Sequence, residues 1–264
     1  MTPLEDKSTE KQINTALDNM KKGEGGLDKA YDDTVNRIEN QGQGIRELAK
    51  KVLFWIVHAT RPLTTEELRH GLAVEVGTCR MDEKNLCLVE DMLSSCAGLV
   101  VVDSNIVRLV HYTAQEYFQR RGLKNFEDVQ RGIIAKSCLT YLSYDVFAEG
   151  CLSYRNLESR LEQNAFFEYA ALNWAYHIQD TQQSVGDLAL KLLRDDGKAS
   201  ASSQVLFRGY YDFRHQFCGI HLAAYFGLND IMVNYWRKKP KTQISRTALA
   251  GRHYPTPRKE GTRG

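Results

Sequence analysis

A chain of 264 residues that is 42% hydrophobic is long enough for one to two domains with real cores. No apolar run approaches the roughly 20 residues that span a bilayer, and the start MTPLEDKSTEK has no signal-peptide core. The net charge of +2 is uneven: residues 237–264 hold nine Lys or Arg and one acid, Glu260, so the preceding 236 residues are mildly acidic, which argues against a nucleic-acid platform.

Ile13, Leu17 and Met20 recur at helical spacing and stop at Lys21-Lys22-Gly23, and Gly23–Gly26 reads as a short hinge. Leu27, Tyr31, Val35 and Ile38 mark a second helix, and Ile45, Leu48, Ala49, Val52, Leu53, Ile56 and Val57 give a third with a wide apolar face. Arg61-Pro62-Leu63 breaks it, and Thr64 with Glu67 forms a capping box that starts a helix carrying Leu68 and Leu72. After a polar loop, Leu86, Val89, Met92, Leu93 and Cys96 predict a helix over Asn85–Ala97, ended by Gly98. Leu99–Val102 and Ile106–Val110 read as two strands around the turn Asp103-Ser104-Asn105. Three helices, a short hairpin and a closing helix make a winged helix-turn-helix. Beyond Val129 the pattern is helical again, with Phe166–Ile178 apolar and aromatic on most faces, as in a packed core helix. Gly197–Ser203 reads as a small-residue linker, and Cys218–Trp236 as two short helices joined at Gly227-Leu228-Asn229.

The stretch LVHYTAQEYF at Leu109–Phe118 concentrates the chemistry. Thr113 and Glu116 have capping-box spacing, so His111 stands just before a helix N-terminus, where backbone donors and the dipole favour an anion such as phosphate. Ordinary strand-to-helix punctuation, with His111 solvated or capping, explains the same residues. Catalytic motifs are missing: there is no phosphate-loop motif, no G-x-S-x-G elbow and no H-E-x-x-H zinc helix. Cys79, Cys87, Cys96, Cys138, Cys151 and Cys218 form no CxxC pair and have no histidine at finger spacing, so reduced thiols and a cytoplasmic setting are expected. The expectation is a non-enzyme with no catalytic residues, metal site or cofactor. Winged helices often read DNA through the third helix, but here that helix carries Glu90 and Asp91 and no basic residue after Lys84. The segment Gly219-Ile220-His221-Leu222-Ala223-Ala224 is similar to the T-P-L-H-x-A signature of ankyrin repeats, which makes His221 a structural turn residue. Arg246-Thr247-Ala248-Leu249 is a faint echo inside a basic tail whose default reading is disorder.

Three segments, LDKAYDDTVNRIENQ at 27–41, LAKKVLFWIVHATRPLTTEELRHGLAV at 48–74 and CAGLVVVDSNIVRLVHYTAQEYF at 96–118, resemble fungal NACHT–ankyrin proteins, relatives of NLR and STAND signalling NTPases. The resemblance implies a mainly α fold: a winged helix of the GPI inositol-deacylase type with a small β-hairpin, then a helical region and one ankyrin-like helix pair. It divides the chain into 1–25 (end of a NACHT-type helical region), 26–125 (winged helix), 126–204 (helical linker domain), 205–240 (incipient ankyrin repeat) and 241–264 (basic disordered tail). Against the family pattern the chain reads as truncated at both ends, without the nucleotide-binding loop. The resemblance also implies that His111 contacts an ADP phosphate, but only beside a NACHT domain. The expected function is a regulatory and protein-interaction fragment: the winged helix is a nucleotide-state control module and the ankyrin segment a partner surface, with no small-molecule substrate and no membrane. The alternative is a winged-helix nucleic-acid-binding protein that uses the basic tail.

Overall fold

The structure is a computed structural model and describes residues 24–121, 132–178, 182–208 and 217–237. The helix expected around Ile13–Met20 and the tail from 238 onward lie outside the described residues.

Helix α1 (Glu24–Glu39) buries Ile38 against α2 (Gln43–His58), which turns Ala49, Val52, Leu53 and Trp55 into the core. Gly25 and Gly26, expected in a hinge, lie in the first turn of α1. Their weak helix propensity is outweighed by tertiary ties further along the helix, at Asp28 and Asp32. The capping box at α3 (Thr65–Ala73) forms as the spacing predicts. Thr64 Oγ1 accepts the Glu67 N–H at 3.2 Å, and Glu67 Oε2 accepts the Thr64 N–H at 2.9 Å. Such a cap contributes about 1 kcal/mol. Glu67 is nearly buried, and the Arg61 guanidinium holds both its oxygens at 2.6 and 2.9 Å.

The helix expected over Asn85–Ala97 is shorter. A 3₁₀ turn at Glu83–Asn85, capped by Asp82, precedes an extended stretch, and α4 runs only over Val89–Ser95. The reason is a tertiary bond. Arg69 Nε donates to the Cys87 carbonyl at 2.9 Å, which holds that segment extended across α3.

β2 (Val100–Asp103) and β3 (Ile106–Leu109) pair antiparallel, with Val101 opposite Arg108 and Asp103 opposite Ile106. Ser104 and Asn105 both have positive φ, 50° and 67°, as a two-residue hairpin turn that matches strand twist requires. A strand that the sequence pattern did not reveal, β1 (Leu63–Thr64), pairs with the other edge of β3, giving the order β1-β3-β2. Two residues are too short for a period to show. Helix α5 (Tyr112–Arg121) then packs back on α1 and α2. This is a winged helix with its wing at β2–β3.

The second half stacks α6 (Ile133–Leu142) against α8 (Phe167–Ile178), with α7 (Tyr154–Gln163) ahead of α8 and α9 (Gln182–Arg194) behind. As the pattern predicts, α8 is a core helix, with Phe167, Tyr169, Ala170, Ala171, Trp174, Ala175 and Ile178 buried. The expected linker at Gly197–Ser203 is instead the body of α10 (Asp196–Leu206), in which Ala199 through Ser203 are buried. Its small side chains serve close packing rather than flexibility. A Cβ on Gly197 would lie 1.8 Å from the Ala148 carbonyl oxygen, and Gln204 holds both the N–H and the C=O of Cys151, at 2.7 and 2.8 Å.

The last pair, α11 (Gly219–Tyr225) and α12 (Asn229–Arg237), forms as expected around Gly227. It does not stand alone. Both helices pack on α9, and a Cβ on Gly219 would lie 1.8 Å from the Leu193 carbonyl oxygen. The buried residues from Ile38 to Tyr235 form one continuous cluster, so the winged helix and the helices beyond it share a core.

Candidate functional site

The site is assembled where α5 begins. β3 delivers the chain to the surface, His111 is exposed, and its ring lies against Tyr112 with centroids 4.6 Å apart. The predicted capping box of Thr113 and Glu116 is not what caps this helix. α5 starts one residue earlier than Thr113, and His111 caps it: its Nδ1 accepts the Thr113 N–H at 3.3 Å, and its carbonyl accepts the Ala114 N–H at 3.1 Å. Two of the backbone donors expected to greet an anion are therefore taken by His111 itself. Glu116 is exposed.

The Thr113 hydroxyl is drawn sideways instead. It lies 2.8 Å from His111 Nδ1 and 2.7 Å from the Tyr31 hydroxyl of α1, a partner 82 residues away. Tyr31 carried no signal beyond its place on an apolar helical face, which is why local spacing favoured the capping box. Further down the same two helices the polar contacts continue. Tyr117 Oη donates to Asp32 at 2.6 Å, Arg120 grips both oxygens of Asp28 at 2.9 and 3.0 Å, and Arg121 reaches Asp32 at 3.6 Å. The Arg120 hydrogen bonds hold the Asp28 carboxyl below the usual range, and burial followed by the Asp32 bond pushes the Tyr117 hydroxyl up. Thus 27–41 and 96–118, two of the three segments that carry the resemblance, touch side chain to side chain at Tyr31–Thr113 and Asp32–Tyr117.

The surface that a winged helix would turn to DNA is unsuited to phosphates. α4 presents Glu90 and Asp91, both exposed, and Arg108 on the wing is paired with Asp103 at 3.0 Å.

Other concave or reactive places were not visible from spacing. A cleft of about 430 Å³ at the junction of the two halves is lined by His70, Cys79, Met81, Tyr141, Tyr144 and Asn164. Cys218 Sγ and His221 Nδ1 lie 3.1 Å apart, but Nδ1 also accepts the Cys218 N–H at 3.1 Å, so the pair closes a helix start. The six cysteines are free thiols. Burial pushes Cys96 up to about 12 and raises Cys87, Cys138 and Cys151 as well, which leaves these four thiols poor nucleophiles near neutrality. Among the described residues no cluster of three or more His, Cys, Asp or Glu side chains is placed to hold a metal, and no helix is long and apolar enough to cross a membrane.

Residues 37–129 match the family model described as "GPI inositol-deacylase, winged helix domain". The match begins in the last turn of α1 and takes in the sheet and α5. No curated protein and no solved structure matches the chain.

Proposed function

We propose that this chain is a non-enzymatic regulatory and interaction element of a NACHT/STAND-type signalling protein. In this reading the winged helix is the control module and senses the nucleotide state of a NACHT domain through His111. The pair α11–α12 belongs to a partner-binding surface of ankyrin type. The observation that carries the reading is the side-chain seam between α1 and α5, with an exposed histidine at its end. Catalytic machinery has no part in it, and the winged-helix match over 37–129 supports the control-module half.

With its own N-cap bonds made, His111 offers a phosphate essentially one donor. One hydrogen bond to a charged group contributes about 1.5–3 kcal/mol, which by itself corresponds to binding on the order of millimolar or weaker. Titration of the protein with ADP, followed by the imidazole resonances of its histidines, tests this. The expected result is a shift at His111 that is unsaturated at millimolar ADP, while His58 and His177 stay still. Saturation at micromolar ADP would place a full nucleotide site within this chain, and no shift at His111 would remove the residue from the reading.

A further inference from the structure

We propose that Tyr31 is a positioning residue for His111, acting through the Thr113 hydroxyl. By this route the seating of α1 decides whether His111 shows a fixed hydrogen-bond donor to whatever lies outside. The consequence drawn for a ligand rests on the control-module reading above; the relay rests on geometry alone.

The direction of every hydrogen follows from one backbone group. The Thr113 N–H points at His111 Nδ1, so Nδ1 is an acceptor and carries no proton. A neutral imidazole then bears its hydrogen on Nε2, the nitrogen on the far side of the ring from the cap. Because Nδ1 accepts, the Thr113 hydroxyl 2.8 Å away must be the donor of that contact. Its oxygen is left to accept, and the Tyr31 hydroxyl at 2.7 Å becomes the donor to it. The chain therefore runs Tyr31 O–H to Thr113 O–H to His111 Nδ1, and ends in an outward Nε2–H. A phosphoryl or carboxylate oxygen fits that edge; another donor does not.

The relay reports on α1 because Tyr31 is its only link to that helix in this chain of bonds, and because α1 is seated by charges. Asp28 and Asp32 anchor it to Arg120, Arg121 and Tyr117, and the Tyr31 and Tyr117 rings lie 5.2 Å apart. If α1 moves away, the Thr113 hydroxyl loses the donor that orients it. It can then turn away from Nδ1, which leaves the ring only the long 3.3 Å contact from the Thr113 N–H, too weak by itself to hold one tautomer or one orientation.

The test needs no nucleotide. Long-range ¹H–¹⁵N spectra at about pH 8, where imidazoles of ordinary basicity are neutral, report the tautomer of each histidine, and relaxation reports ring motion. The wild type should show His111 as a single Nε2–H tautomer with a rigid ring. Tyr31→Phe keeps the ring contact with Tyr117 and should yield a mixed tautomer and a mobile ring. Thr113→Val should do so more strongly, and Thr113→Ser should restore the wild-type signal. An Nδ1–H tautomer in the wild type, or an unchanged His111 in Tyr31→Phe, would overturn the relay. Should Thr113→Val fail to fold, Tyr31→Phe alone decides. A failed ADP titration would leave this result standing, and a failed relay would leave the titration standing.

Discussion

Two seams hold the winged helix to its neighbours, and they are built from opposite materials. The seam with the following helices is apolar and aromatic. Trp55 of α2 is fully buried, with its ring 5.5 Å from Phe166 and 6.3 Å from Tyr169, and the nearby Phe147 and Phe167 rings stack at 4.1 Å. Polar groups there are few and closed on themselves. Tyr169 Oη accepts the Thr60 N–H at 3.2 Å and lies 2.9 Å from His177, while Thr60 Oγ1 donates to Asn173 at 2.6 Å. The seam between α1 and α5 is a row of carboxylates, guanidinium groups and hydroxyls in which Tyr117 is buried and the Arg120 and Arg121 side chains are half exposed. Dry packing fixes two bodies permanently, because it is non-directional and large. Exposed ion pairs hold weakly and yield to competing charges. The molecule thus has a fixed joint on one side of the winged helix and a releasable one on the other, and His111 sits on the releasable side.

The largest effect is expected from cutting the fixed joint. Trp55→Ala removes the side chain that fills the space between Gly71, Phe166 and Tyr169 and should cost about 3–5 kcal/mol in urea unfolding. Because both halves share one core, they should unfold together; separate transitions would show that the joint is not shared.

Acid should weaken the same joint by less. Burial, and then the neighbouring His58, lowers His177 to about 4. An unfolded histidine titrates near 6.5, so between the two values the unfolded chain takes up a proton that the folded chain refuses. The stability contribution is complete above about pH 6.5 and is lost as the pH falls toward 4, by on the order of 3 kcal/mol in total. His177→Gln should flatten this part of the pH profile, and an unchanged slope would place the acid sensitivity elsewhere.

The smallest effect belongs to the releasable joint. Tyr117→Phe deletes one hydroxyl bond to the half-exposed Asp32 and should cost about 1 kcal/mol. Amide exchange should then quicken along α1 and stay slow along α8. Equal acceleration of both would erase the distinction between the seams.

Much of the winged helix was legible because its signals are local. Thr64 and Glu67 lie three residues apart, Ser104-Asn105 is a turn pair, and the apolar face of α2 repeats every three to four residues. The site was legible in position only. His111 could be placed before a helix, but its partner Tyr31 is remote in sequence, and the residue that actually caps α5 is His111 rather than Thr113. Gly197–Ser203 misled for a related reason. Small residues favour flexibility in isolation and tight packing when neighbours approach, and composition does not tell which neighbours will come.

By itself the sequence determined the elements whose causes lie within one or two turns of chain: the helices with a periodic face, the hairpin, the capping box at α3 and the two-helix motif at Gly219–Arg237. The tertiary structure alone decided the outcomes that depend on contacts between distant segments. These are the two-residue strand on the edge of β3, the shortened α4 held by Arg69, the continuous core across both halves and the tie from Tyr31 to His111. A hydrogen bond or a dry contact forms wherever its partners meet, and for these residues the meeting is set by the packing of whole helices.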